Sequence, residues 1–262
     1  MEQQAAFRIP YLPVTISLIS METADLPAHL GSTLRGAIGQ ALMRHEPTAY
    51  AYLYENRTRG GRQQDVLNPY VIVPPDGATF HAGETLRFDL LLLGEAARYA
   101  QPLFNALQRA DKLGLGALRY PFAFQKAVHA EDSRVLWEAG LFHGIAAREV
   151  LLPYRTLPDI QKATVRTRTP LRIRRDGALL LTVDFPTIMR SVTRRVEAIA
   201  TRYGGWADAT EIARVQGLSA GIATARSQME LQNMARYSNR LGEKMDFSGL
   251  AGSMQFEGEL TP

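Results

Sequence analysis

Over the first 130 residues the apolar positions switch between strand and helix periodicity in one order: strand, helix, strand, strand, helix, strand. Phe7 to Ile19 alternates as a strand. Leu30, Leu34, Ile38, Ala41/Leu42 and His45 repeat at helical spacing, with Ser32 suited to cap the helix. Glu55 to Asp65 is polar and Arg/Gly-rich, which predicts an exposed loop. Tyr70 to Val73 and Leu86 to Leu93 read as strands joined through a Pro74-Pro75-Asp76-Gly77 turn. Ala97, Ala100, Leu103/Phe104, Leu107 and Ala110 mark a second helix, ended by Gly114 and Gly116. Ala117 to Val128 is the last strand. This order predicts the split βαβ, or ferredoxin-like, arrangement: two helices on one face of a four-stranded antiparallel sheet, with the other face open.

After a linker at 131–148, a second unit is expected over 149–262. Lys162 to Arg175 reads as one alternating strand with Arg166, Arg168, Arg172 and Arg174 in a row on one side. Ala178 to Phe185 follows as a strand. Ile188, Val192, Val196 and Ile199 predict a helix with Arg190 and Arg194 on its outer side. Ala207 to Leu241 reads as helical, interrupted at Gly217 and Gly221, and Phe247 to Leu260 as a strand. The fold class expected is α+β: tandem ferredoxin-like (RRM-like) domains, the first over 1–130, the second degenerate with a helical insertion at about 205–243.

Charge separates the halves. The chain carries 30 Lys+Arg against 26 Asp+Glu, a net charge of +4. Ten of the cations and only three acids fall between Lys162 and Arg202, so that stretch alone is +7 and the remainder −3. Twenty-six of the thirty cations are arginine, whose planar fork grips phosphate in pairs and stacks on bases. A row of like charges on one strand face is repulsive unless an anion or an acid lies opposite; a nucleic-acid backbone is the favoured partner, with an acidic protein or lipid as the rival. With no cysteine, disulfides, thiolate metal sites and a cysteine nucleophile are excluded. The amino terminus lacks the basic-then-apolar start of a signal peptide, and the longest apolar runs are too short to cross a bilayer. A cytoplasmic protein without membrane contact is expected.

Several segments together carry a family resemblance. They are Gly31-Ser-Thr-Leu-Arg-Gly-Ala-Ile-Gly39, Asn68-Pro-Tyr-Val-Ile-Val-Pro-Pro75, Gly83-Glu with Leu93-Gly-Glu-Ala96, Gly114-Leu-Gly-Ala-Leu-Arg119, Thr169-Pro-Leu-Arg-Ile173, Arg236-Tyr-Ser-Asn-Arg240, and Gly249-Leu-Ala-Gly252 leading into Phe256-Glu-Gly258. In this order and spacing the chain resembles the CRISPR-associated repeat-processing endoribonucleases of the RAMP superfamily. Its arginine content and helical insertion are similar to the type IV members. The resemblance implies binding of a repeat RNA, often a hairpin, metal-independent cleavage, retention of the product and assembly with other CRISPR-complex subunits. A non-catalytic crRNA-binding subunit is the alternative. Family members usually continue past the strand at Phe256 into a Gly-rich closing segment, whereas this sequence stops at Pro262.

Metal-free RNA cleavage needs alignment of the 2′-hydroxyl, proton transfer, and cations for the phosphorane. Arg35, just inside the first helix, is the leading cation: helix N-terminal amides and a guanidinium both favour phosphate. An imidazole can take up and release protons in RNA cleavage, which makes His45 the candidate acid/base, with His29 as a rival and Arg240 as an alternative catalytic cation. His45 also falls in register with the helix's apolar positions, as a structural histidine would. Tyr50, Tyr52 and Tyr54 are spaced for one face of an extended segment. Arg236 and Arg240, four apart, would share a helix face and grip RNA with Tyr237 and Lys244. Arg119, Arg166, Arg168, Arg172, Arg174, Arg190 and Arg194 complete the expected RNA contacts. No cofactor is expected. The sequence has no histidine pair at helical ligand spacing and no tight acidic cluster, and Gly114-Leu-Gly116 lacks the Gly-Lys-Ser/Thr ending of a P-loop.

Overall fold

The computed structural model describes residues 5–55, 67–75, 77, 79–145, 148–153, 159–238 and 243–260. The chain divides into two compact units. The first comprises residues 7–152 with 198–206; the second comprises 1–6, 153–197 and 207–262.

The first unit has the expected element order: β1 (Ala5–Ser20), α1 (Gly31–His45), β2 (Tyr70–Val73), β3 (Thr85–Leu93), α2 (Ala100–Arg109) and β4 (Tyr120–His129). The sheet order is β2-β3-β1-β4, all antiparallel, which is the ferredoxin-like topology. Register follows hydrophobic alternation: Leu12, Val14, Ile16 and Leu18 of β1 face Leu92, Leu90, Phe88 and Leu86 of β3. All eight are buried. On this face pack Leu34, Ala37, Ile38, Ala41 and Leu42 of α1 and Leu103, Phe104 and Leu107 of α2. The helices are held by this burial more than by their ends, for α1 starts at Gly31 after Leu30 and no side chain caps it. Ser32 therefore lies within the first turn and is not the cap.

The stretch expected as a linker carries strands Val135–Glu138 and Leu141–Phe142, which continue the sheet beyond β4. Trp137 is buried there against Phe124. Trp206–Ala207 also pairs with β1, and Tyr203 is buried with Ile9 and Leu93. Gly94, at φ +57°, approaches this segment so closely that a Cβ would lie 1.6 Å from the Tyr203 carbonyl oxygen.

The second unit is built on a three-stranded antiparallel sheet of β5 (Lys162–Arg166), β6 (Ala223–Gln232) and β9 (Gly249–Glu257), with β9 in the centre. Helix α3 (Phe185–Tyr203) places Phe185 and Ile188 on one face of this sheet, against Met254 and Phe256. Helix α4 (Ala209–Leu218) is capped by Asp208, which accepts from the Thr210 and Glu211 amides.

Three expectations are corrected here. The predicted helix over 207–241 ends at Leu218, because Gly217 and Gly221 weaken it and β9 offers Ala223–Gln232 a strand partner. Next come β7 (Ala235–Ser238) and β8 (Glu243–Asp246), a hairpin pairing Arg236 with Met245 and Tyr237 with Lys244. Arg236 thus lies on a strand and not on a helix face, and Arg240 lies outside the described residues. The long strand over 162–175 stops at Arg166; Thr167 still bonds Gly252 and Leu171 bridges to Leu250, but Pro170 between them has no amide for a ladder, and Arg174–Arg175 pair instead with Ala178–Leu179. Finally, Ala178–Phe185 forms only the two-residue strand Ala178–Leu179, and Phe185 opens α3. The loop predicted at 55–65 lies almost wholly outside the described residues, as does Asp76 of the predicted turn.

Candidate active site

In the first unit a tyrosine cluster surrounds Arg35. Its Nε–H donates to the Tyr70 hydroxyl at 3.0 Å, and its guanidinium carbon lies 5.1 Å from the Tyr54 ring centroid. The Tyr54 hydroxyl donates to the Arg35 carbonyl at 2.9 Å. Tyr54 stacks on Tyr50 at 5.4 Å and tilts toward Tyr70 at 5.3 Å. The arrangement follows from local structure. Pro47–Tyr50 and Ala51–Glu55 are helical, not extended, so Tyr50 and Tyr54 sit one turn apart on the same side. Gly39 leaves room for the ring: a Cβ there would come 2.7 Å from Tyr54 Cε1.

Burial pushes the Tyr54 phenol well above its usual range, with Tyr70 beside it adding to the rise and Arg35 opposing it. Burial also raises Tyr70, again against the pull of Arg35. Both phenols are therefore neutral donors and acceptors at physiological pH. Arg35 is half-buried, and its two terminal nitrogens make no hydrogen bond among the described residues. A guanidinium held by Nε and a ring face, with neither Nη group so bonded, is suited to grip a phosphate.

His45 is the last residue of α1 and half-buried. Ten residues of helix place it about 15 Å along the axis from Arg35 and about 80° around it, so the two address different parts of any bound chain. Arg119, exposed in the turn before β4 at φ +56°, lies 3.5 Å through Nη1 from Gln40 of α1. A second arginine–tyrosine stack was not foreseen: Tyr52 and Tyr99 stack at 4.5 Å, and Arg98 lies 5.3 Å and 5.1 Å from their centroids. Its sequence signal was the pair Arg98-Tyr99 beside the tyrosine run.

In the second unit the expected arginine row separates into three places. Arg166 and Arg168 are exposed and make no ion pair among the described residues. Arg172 donates to the Ser248 carbonyl, lies 3.7 Å from Asp246 and 5.5 Å from the Phe247 ring. Arg174 reaches the same carboxylate at 4.0 Å. Ser248 hydrogen bonds hold the Asp246 carboxyl below its usual range, and the two arginines add to this. Arg190 and Arg194 are exposed on α3, the helix that packs on the sheet's apolar face. The single row is thus corrected: the break at Pro170 and the Asp246 partner divide it. Arg236, Tyr237 and Lys244 are placed on the β7–β8 hairpin.

Residues 9–149, 54% of the chain, match the family model AF_1859_N, described as an N-terminal domain. No curated protein matches the chain by sequence. Among solved structures, a Cas6 product complex superposes with a TM-score of 0.57 at 19% identity, covering 95% of this chain and 86% of that one. Cas6 of Thermus thermophilus gives 0.55 at 16%, covering 95% and 83%. A partial Cas6-RT-Cas1–Cas2 complex gives 0.57 at 10%, covering 96% of this chain and 40% of that one. These likenesses place the chain in the tandem ferredoxin-like fold of Cas6. No helix among the described residues is long and apolar enough to cross a membrane.

Proposed function

The chain belongs to the AF_1859_N family, and from that premise we propose that it binds CRISPR repeat RNA and cuts it as an endoribonuclease. The shared fold supports the substrate class, since a solved relative of that fold is a Cas6 product complex. The observation that carries the chemistry is Arg35, fixed through Nε by Tyr70 and backed by Tyr54, with neither Nη group hydrogen-bonded among the described residues.

In this reading the cut needs no metal. The ribose 2′-oxygen bonds to the adjacent phosphorus, its proton passes to a base, and the bond from phosphorus to the 5′-oxygen breaks. That oxygen takes a proton, and the other product ends in a 2′,3′-cyclic phosphate. Arg35 neutralises the pentacoordinate phosphorane, a role for a fixed guanidinium. Arg240 is the proposed second cation. His45, farther along α1, is proposed to move protons through water and not by direct contact, so its loss costs less than loss of Arg35. The arginine-centred chemistry of type IV-like members, product retention and partnership with other CRISPR subunits belong to the same proposal. Arg119, Arg166, Arg168, Arg190, Arg194, Arg236, Tyr237 and Lys244 are proposed to hold the RNA. Arg172 and Arg174 join them by exchanging Asp246 for phosphate.

The test is incubation of a labelled repeat hairpin with the protein in EDTA, followed by analysis of product ends. Cleavage to a cyclic phosphate, reduced more by Arg35→Ala than by His45→Ala, is expected. Tight binding without cleavage above a buffer control would overturn the enzymatic reading and favour a crRNA-binding subunit.

A further inference from the structure

The second unit's sheet has an open face that the sequence did not reveal. Along β9 the side chains alternate: Met254 and Phe256 are fully buried, while Gln255 and Glu257 are exposed on the other side. Cross-strand partners share a face. Register therefore builds two polar rows across the three strands: Arg166, Ser253 and Gln228 in one, and Thr164, Gln255 and Arg226 in the next. All but Ser253 are exposed, and the side chains of the two arginines and two glutamines make no hydrogen bond or ion pair among the described residues. Arg168 follows just beyond β5, also exposed. At one end Lys162 and Glu257 neutralise each other at 2.9 Å; at the other Glu230 stands opposite Ala251.

We propose that this face is a binding site for single-stranded RNA, with Arg226, Gln228 and Gln255 as contact residues beside Arg166. The inference rests on the proposed function and adds a surface to it. Arg166 and Arg226 stand two strands and two residues apart, a diagonal of about 12 Å. The two guanidiniums hold phosphates on either side of the central strand. Gln255 and Gln228 lie between and beside them, and a carboxamide offers both a donor and an acceptor to a base edge or a 2′-hydroxyl. The rows contain no aromatic or aliphatic anchor of the kind a protein interface buries at its centre, and the unpaired charges there are mainly positive. This chemistry fits a ribose-phosphate chain and not a folded protein partner.

The experiment is fluorescence anisotropy with the whole protein and two labelled probes, a repeat hairpin and the same hairpin with a single-stranded extension, over a salt series. For the extended probe, Arg226→Gln should weaken binding about 5- to 10-fold at low salt. It should also reduce the slope of log affinity against log salt by about 1, with Arg226→Lys retaining the slope. The pair Gln228→Ala and Gln255→Ala should weaken binding and leave the slope unchanged. Arg214→Gln, a cation already paired with Glu211 on α4, should change neither. If wild type binds but the Arg226 and glutamine variants match it on both probes, the site is refuted and the proposed function stands. If wild type binds neither probe, both readings fail together. A loss equal to that of Arg214→Gln would show a general charge effect and also refute the site. Circular dichroism of each variant confirms the fold, because all substituted positions are exposed.

Discussion

Replacing Tyr70 by Phe removes one oxygen from the molecule and tests how Arg35 is held. The oxygen accepts Arg35 Nε–H at 3.0 Å inside a partly buried cluster. A hydrogen bond to a charged donor contributes on the order of 1.5–3 kcal/mol. Arg35 is only half-buried, so water can replace part of the lost contact, and the lower end applies, about 1.5 kcal/mol. For a protein of this size that corresponds to a melting-temperature decrease of roughly 3–6 °C. The ring remains, so the fold persists, but the guanidinium is free to swing. A misplacement near 1 Å at a reacting phosphate costs up to about 100-fold in rate. Single-turnover cleavage of a bound repeat hairpin should therefore fall by about 10- to 100-fold, with a smaller loss of RNA affinity. Gly39→Ala approaches the same cluster from the other side, because its Cβ would come 2.7 Å from Tyr54 Cε1 and push the ring. It should reproduce the kinetic signature although it touches neither hydroxyl. A Tyr70→Phe protein with unchanged melting temperature and unchanged single-turnover rate would refute the claim that the tyrosines position Arg35.

Two further outcomes follow from geometry already described. Gly94→Ala should destabilise the first unit by at least about 3 kcal/mol, since it combines a left-handed backbone with a forced shift of the Tyr203 carbonyl. A melting temperature within about 2 °C of wild type would show that the approach is not retained in solution. Alkaline pH should weaken the same unit. The folded Tyr54 and Tyr70 hold their protons above the ordinary phenol range, so their contribution is complete below about pH 10. It declines as the pH rises and the unfolded chain ionises first. Denaturant midpoints at pH 9 and 11 should differ less for a Tyr54→Phe, Tyr70→Phe double variant than for wild type.

The first unit was legible because each element has one buried stripe and one wet one. Leu34, Ile38 and Leu42 mark α1, and Leu86, Phe88, Leu90 and Leu92 mark β3, without reference to anything distant. The second unit was not legible in the same way. Ala223–Gln232 is rich in Ala, Gln, Glu and Met, which favour helix, yet it is a strand. Its partner, Gly249–Glu257, supplies the deciding contacts from elsewhere in the sequence. That misreading hid Arg226 and Gln228. The arginine row looked continuous because alternation survives across Pro170 in sequence but the ladder does not. Arg35 was identifiable from its place on α1, whereas its partner Tyr70 is 35 residues away and Tyr54 was read as extended. Asp246 gave no local sign that it would face Arg172 and Arg174.

The close approach of Gly94 to Tyr203 also bears on biosynthesis. The ferredoxin-like sheet is complete by residue 129, yet its surface around Ile9 and Leu93 is sealed only by residues 198–206. A nascent chain must therefore leave that apolar patch bare until some fifty further residues past Leu152 have cleared the ribosome. A gene fragment cut near codon 152 would yield a protein with the right strands and a sticky seam.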